Sequence, residues 1–290
     1  MKKSSKVKTF ASPEPHYRAV RAAVEKSATL IRRHYGRLEG RDIRSKSKND
    51  FVTVVDKGSQ DILVRELTRA FPSYGFLGEE NGLSIEADRR WVIDPIDGTS
   101  NFIHHLPAFC ISVGLEEKGK FVLGVVYDPV HDEWFYAAKG HGAFLNKRRL
   151  RVSSLGLKDA FMATGFAFQM RGRFEPYNSS FRKVFHSCAG VRRMGSAAID
   201  LCYTACGRFD GFWEMGLHDW DIAAAVVVVE EAGGIVTDFR GGADGIRRGD
   251  MLAANPRVHR EMLKKLSEVP LLAADEWERS RKSPGRRRAV

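Results

Sequence analysis

The chain has 290 residues, 43% of them hydrophobic, with a formal net charge of +11, which allows one or two globular domains. No run approaches the roughly eighteen apolar residues of a membrane helix, the longest candidate being Ala223 to Val229, and the basic start from Met1 to Lys6 lacks the apolar stretch of a secretory leader. Four cysteines (Cys110, Cys188, Cys202, Cys206) are too few for a disulfide framework at this length, so a cytoplasmic protein is expected.

Residues 1–16, with four lysines against Glu14, form a basic N-terminal tail. Tyr17 to Tyr35 then places Ala22, Ala23, Ser27, Leu30 and Ile31 at helical spacing, and Gly36 closes that helix. Phe51 to Val55 is a β-rich run ending at Asp56. Asp56 is placed to cap the next helix, whose Ile62, Leu63, Leu67 and Ala70 share a face before Pro72. Trp91 to Ile93 reads as a buried strand stopped by Pro95. Short strands over 111–115, 121–127 and 134–138, with turn residues between them, predict an antiparallel meander.

The second half changes character. Helices are predicted from Ser196 to Cys206 and from Trp220 to Ala232, the latter ended by Gly233-Gly234, with strands over 209–213 and 234–237. Cys202 and Cys206 lie four apart on the first of these helices. They read as small core residues, a redox or metal pair being the alternative, because zinc sites favour C-x-x-C. Residues 269–290 form a basic C-terminal tail ending in Arg286-Arg287-Arg288, read as solvated, with contact to nucleic acid or an anionic surface as the alternative. Periodicity alone gives a compact mixture of α and β.

The chemistry concentrates between Arg90 and Phe102. Asp94 and Asp97 arrive at the end of a strand, where sites lie in layered α/β proteins. Gly98 and Thr99 follow, and backbone N–H groups at such a turn suit a phosphate. Carboxylates favour hard divalent cations, and these favour phosphate oxygens. The pattern points to phosphate ester hydrolysis.

Asp94-Pro95-Ile96-Asp97-Gly98-Thr99-Ser100-Asn101-Phe102 resembles the first signature of the inositol monophosphatase family, magnesium-dependent and lithium-sensitive phosphatases of bacterial type here. Trp220-Asp221-Ile222-Ala223-Ala224, running on to Gly234, is similar to its C-terminal signature, and Leu77-Gly78-Glu79-Glu80 to its metal-binding glutamate segment. These motifs span roughly Lys48 to Gly234. The resemblance implies a five-layer αβαβα sandwich of the inositol monophosphatase and fructose-1,6-bisphosphatase type, in one catalytic domain (17–268) of two sheet-plus-helix halves.

It also implies two or three Mg²⁺ ions. Glu79, Asp94 and the Ile96 carbonyl would hold one, and Asp94, Asp97 and Asp221 a second, with Pro95 stiffening the link between ligands. Glu79, Thr99 and Asp56 form the implied catalytic set, Thr99 orienting the attacking water and Asp56 partnering it. Substrate contacts are implied for Asp97, Gly98, Thr99, Gly195, Ser196, Ala197, Glu214 and Asp221. Glu214 would accept from ring hydroxyls. Glu80 is expected to be a surface acid or one behind the ligands. Either Lys46 or Lys48 would supply the basic group near the site. Asp219 is an extra acid that complicates the ligand count. His104, His105 and His218 are expected to be structural or surface residues, since magnesium needs no imidazole.

The expected function is Mg²⁺-dependent hydrolysis of inositol monophosphate or a related polyol or sugar phosphate. Fructose 1,6-bisphosphate, histidinol phosphate and 3′-phosphoadenosine 5′-phosphate are the alternatives within the family. Ser100-Asn101-Phe102 leans away from the nucleotide branch. The rival is a transcription-associated binding partner with residual phosphatase activity, to which the basic tails and Arg192-Arg193 lend weight. Retention of all four acids favours an active enzyme. A homodimer and no membrane association are expected.

Overall fold

The structure is a computed structural model and describes residues 13–47, 50–166, 174–243, 246 and 249–269. The expected tails therefore lie almost wholly outside the described residues, as do Lys48 and the side chain of Lys46.

The first half is helix on sheet. Helix α1 (Glu14–His34) buries Val20, Ala23, Val24, Ala28 and Ile31, the 3–4 spacing of one face. After the hairpin β1 (Ile43–Ser47) and β2 (Asp50–Thr53), helix α2 (Val54–Ala70) buries Leu63 and Leu67. Ile62 is only partly buried and Ala70 is exposed. The β-rich run thus ends at Thr53, two residues before the sequence expectation, because Thr53 is the N-cap and its side chain accepts from the amides of Val55 and Asp56.

Six further strands follow, β3 (Gly75–Gly78), β4 (Ser84–Ile85), β5 (Arg89–Asp97), β6 (Cys110–Glu117), β7 (Lys120–Asp128) and β8 (Glu133–Ala138), with the short helix α3 (Thr99–Ile103) between β5 and β6. With β9 (Gly142–Leu145) and β10 (Arg148–Arg149) they make an eight-stranded sheet in the order β10-β9-β8-β7-β6-β5-β3-β4. The meander from β5 to β10 is antiparallel throughout, as expected, while β3 pairs parallel with β5. Pro95 does not stop β5. The strand runs through it, and the pairing with β6 slips between Asp94 and Asp97, so proline occupies the irregular stretch where no ladder bond is lost.

The second sheet has the order β12-β11-β13-β15-β14, from β11 (Phe161–Thr164), β12 (Gly190–Arg192), β13 (Gly211–Glu214), β14 (Ile235–Thr237) and β15 (Met251–Ala254). Helices α5 (Ala197–Ala205) and α6 (Asp219–Glu231) lie between the sheets; α4 (Phe174–Phe185) and α7 (Pro256–Leu266) cover the outer face of the second. α1 and α2 cover the outer face of the first, completing the αβαβα sandwich. Helix α6 is apolar nearly all round, as a helix with a sheet on each side must be. It sits so close to the first sheet that a Cβ on Gly124 would stand 2.0 Å from the Ala224 carbonyl oxygen.

α4, α7, β11, β12 and β15 go beyond the sequence reading. For α7 the signal was present: Asn255 caps it, Pro256 opens it, and Val258, Met262 and Leu266 recur every fourth residue and are buried. Cys202 is fully buried in the core between the sheets, Cys206 partly so, and all four cysteines are free.

Candidate active site

The site is built where β3 and β5 end together. Because they run parallel, Glu79, just beyond β3, is delivered beside the end of β5, and its amide donates to the Ile93 carbonyl at 3.2 Å. The Gln60 side chain grips the next residue from both sides. Its Oε1 accepts from the Glu80 amide at 3.0 Å and its Nε2 donates to the Glu80 carbonyl at 2.9 Å. Glu80 is a buried residue and not a surface acid. On β5, the Ile96 amide donates to Asp94 Oδ1 at 3.0 Å, and Ser59 Oγ donates to the Pro95 carbonyl at 3.1 Å. These bonds use the backbone groups that the strand irregularity releases.

Asp56 carries two loads. Its Oδ2 accepts from the Thr53 amide at 2.8 Å and from the Thr53 hydroxyl at 2.5 Å, closing the capping box of α2. Its Oδ1 accepts from Thr99 Oγ1 at 2.8 Å, and the Ile96 carbonyl lies 3.0 Å from the same hydroxyl. Asp56 is thus the reciprocal partner at the third position of the helix, while Thr53 is the cap.

Asp97 joins the two halves of the molecule. Its Oδ2 accepts from Ser196 Oγ and from the Ala198 amide, both at 2.7 Å, at the start of α5. The Ala197 amide adds a further bond. Asp221 sits in the first turn of α6 and accepts from the His218 amide at 2.6 Å. Each carboxylate faces the positive end of a helix, where it is stabilised. Asn101 ties the same seam, donating to the Ala108 carbonyl at 2.6 Å and the Met194 carbonyl at 2.9 Å.

Even so, the acids are short of positive charge. Burial first, then Glu79, Asp97 and Asp221, push the Asp94 carboxyl well above its ordinary range, and Asp94 lies within hydrogen-bonding reach of Glu79. Burial holds Asp97 at about 6 against its hydrogen bonds from Ser196 and Ala198. Burial and the neighbouring Asp97 and Glu79 raise Asp221 as well. Four carboxylates that repel one another in a poorly solvated space form an all-oxygen donor set, which fits a hard divalent cation and does not suit a soft one. Among the described residues, no three acidic, histidine or cysteine side chains close on a single point.

The opposite wall comes from the second sheet. Glu214 ends β13, is 7% exposed, and accepts no hydrogen bond among the described residues. Burial raises it to about 8, with Arg193 pulling it down and Asp97 pushing it up. Gly195, Ser196 and Ala197 open α5 beside Asp97, Ser196 as its N-cap. Gly98 adopts a left-handed φ of 99° ahead of Thr99.

Other expectations resolve as follows. Asp219 is buried and its charge bears on the Arg90 guanidinium. His104 and His105 are exposed, and His218 stacks on Trp220 with ring centres 4.5 Å apart. The choice between Lys46 and Lys48 falls outside the described residues. Sequence reasoning missed Gln60, Asn101 and Asp200. Asp200 is buried in α5, with an Oδ1 that has no partner, and burial and Glu214 raise it well above the ordinary range. An acid in an otherwise apolar helix was the available signal.

An αβαβα sandwich carrying these clustered acids defines the class, the layered α/β phosphatases. The chain belongs to the inositol monophosphatase family, whose model matches residues 12–271. It is 42% identical over 254 residues to the inositol-1-monophosphatase of Mesorhizobium japonicum, covering 87% of this chain and 95% of that relative. It is 44% identical over 248 residues to the Nus factor SuhB of Escherichia coli, covering 84% and 92%. Its fold superposes on the crystal structure of the extragenic suppressor protein suhB from Bartonella henselae with a TM-score of 0.83 at 39% identity, covering 87% of this chain and 98% of that one.

Proposed function

We propose that this chain is a Mg²⁺-dependent phosphomonoesterase acting on inositol monophosphate or a closely related polyol phosphate. The observation that carries the reading is the Thr99–Asp56 hydrogen bond, set beside Glu79, Asp94, Asp97 and Asp221 and opposite the buried Glu214 carboxyl. Glu79, Asp94, Asp97, Asp221 and the Ile96 carbonyl would hold the cations, which supply charge neutralisation for phosphate oxygens and acidify water.

The protein's own groups then have definite tasks. Asp56 Oδ1 takes the Thr99 hydroxyl hydrogen, leaving the lone pairs of Oγ1 to accept from a water and aim it at phosphorus. Asp56 can receive the water's proton through that hydroxyl. Its own carboxyl is raised by burial, which improves it as a base. Water attacks, the P–O bond to the alcohol breaks, and the alkoxide takes up a proton to leave as the free polyol. Backbone amides at Gly98, Thr99 and Gly195 are available to phosphate or hydroxyl oxygens, and Ala197 lies beside them at the start of α5 with its amide held by Asp97. Glu214 accepts from ring hydroxyls. Its neutral form is favoured without substrate, so hydroxyl donors arriving at the pocket stabilise the charged form.

Assay of purified protein on inositol 1-phosphate, fructose 1,6-bisphosphate, histidinol phosphate and 3′-phosphoadenosine 5′-phosphate, with Mg²⁺, with chelator and with lithium, tests the reading. Inositol 1-phosphate should be preferred, activity should vanish in chelator, and millimolar lithium should inhibit. Preference for the nucleotide ends the substrate assignment, and full activity in chelator ends the metal assignment.

A second reading is supported by the name of the Escherichia coli relative, a Nus factor. It makes the chain an active phosphatase that also joins the transcription machinery, in the cytoplasm and as a homodimer. Arg192 and Arg193 are exposed and could serve such a contact. Co-purification of RNA polymerase with the tagged protein, lost on charge reversal at Arg192, would support it.

A further inference from the structure

Strands β11 and β13 run parallel, with Thr164 opposite Trp213 and the Thr164 hydroxyl donating to the Trp213 carbonyl at 2.8 Å. The next residues, Gly165 just beyond β11 and Glu214 at the end of β13, lie side by side. A Cβ on Gly165 would stand 2.1 Å from Glu214 Oε2, 2.4 Å from Cδ and 2.5 Å from Oε1. The carboxylate therefore occupies the volume of the missing side chain. Backbone conformation gives no reason for glycine here, since Gly165 is not among the positive-φ residues. On the flanks, the Tyr177 hydroxyl lies 3.4 Å from Thr164 Oγ1, and the Arg193 guanidinium stacks over the exposed Phe166 ring at 4.8 Å.

We propose that Gly165 is a positioning residue for substrate choice. By carrying no side chain it lets the Glu214 carboxylate lie back against the sheet, leaving room for a polyhydroxylated ring whose hydroxyls that carboxylate accepts. A methyl group at 165 pushes the carboxylate toward the pocket, because the end of a long side chain yields more easily than two paired strands. The inference rests on the polyol phosphatase reading for its substrate and on close approach alone for its geometry.

The test compares Gly165→Ala with wild type on inositol 1-phosphate and on p-nitrophenyl phosphate, which has no ring hydroxyl, in both the Glu214 and the Glu214→Ala backgrounds. The expected result is a rise in KM for inositol 1-phosphate of about tenfold or more, with kcat/KM for p-nitrophenyl phosphate within about twofold. In the Glu214→Ala background Gly165→Ala should change neither substrate by more than about twofold, because the two act as a unit. Equal losses on both substrates, no change on either, or an undiminished effect in the Glu214→Ala background each overturn the proposal. A wild-type enzyme with no preference for the polyol ester would remove the polyol reading alone. The positioning is then read from thermal unfolding: Gly165→Ala should shift the midpoint in the Glu214 protein and not in the Glu214→Ala protein. Equal shifts in both would end it.

Discussion

The two walls of the site are built on opposite plans. On the side of the first sheet nearly every polar atom is spoken for: Asp56 is held by Thr53 and Thr99, the Glu80 backbone by Gln60, the Pro95 carbonyl by Ser59, and Asp94 by the Ile96 amide. On the side of the second sheet, Glu214 accepts nothing from the described residues and Asp200 keeps an oxygen without a partner. The first plan suits a reaction centre whose polar groups must be aligned beforehand, because networks satisfied in advance cost no reorganisation. The second suits an alcohol that brings its own hydrogen-bond donors.

The contrast is sharpest in Asp94→Asn. The amide keeps the shape and loses the charge, so turnover should fall by about three orders of magnitude or more. In chelator the variant should unfold at or above the wild-type midpoint, because one of four repelling carboxylates is gone. A variant keeping more than about a tenth of wild-type turnover, a barrier change under about 1.4 kcal/mol, would remove Asp94 from the metal site.

Thr99→Ala should lower kcat about a hundredfold and leave KM within a few-fold, with Thr99→Ser recovering most of the loss. An equal rise in KM would move Thr99 from water orientation to substrate binding.

Gln60→Leu strips partners from a buried amide and a buried carbonyl, for a loss of about 2–4 kcal/mol in chemical unfolding. It should also raise the Mg²⁺ concentration needed for half-maximal activity, since the neighbouring Glu79 loses its anchor. Unchanged stability would mean that the clamp is not a mainstay of the first wall.

The walls also differ in how they respond to pH. Asp97 at about 6 and Glu214 at about 8 both lie above ordinary carboxyl values, so the native protein holds more protons than the unfolded chain between those limits. Stability of the metal-free protein should therefore fall as pH rises from about 4 to about 8. Glu214→Gln should make the upper half of that fall, from about 6 to about 8, shallower and leave the lower half, the slope that remains coming from the raised Asp94, Asp221 and Asp200. A profile unchanged by Glu214→Gln would deny the second wall its uncompensated charge.

The smallest effect is expected from deleting residues 272–290, which lie beyond the family match. Activity on a small ester should change less than about twofold, because the family match is left whole. A collapse of activity in a folded protein would bring the tail into the site.

Much of the first wall was legible in the chain itself. Asp94 to Phe102 is contiguous, its two acids are three residues apart, and local chain geometry alone must bring them to one place. The apolar periods of α1, α2, α5, α6 and the meander were equally plain, because they record which face of each element is buried. Two local readings failed for local reasons: Thr53 outcompeted Asp56 as the cap, and an irregular strand accommodated Pro95. The rest required the folded chain. Gln60 meets Glu80, Ser196 meets Asp97 and Glu214 lies against Gly165 only because strand order, parallel pairing and the packing of α5 and α6 between two sheets carry distant segments together. Neither periodicity nor spacing encodes such contacts, since each is set by close packing across layers whose order no single segment contains.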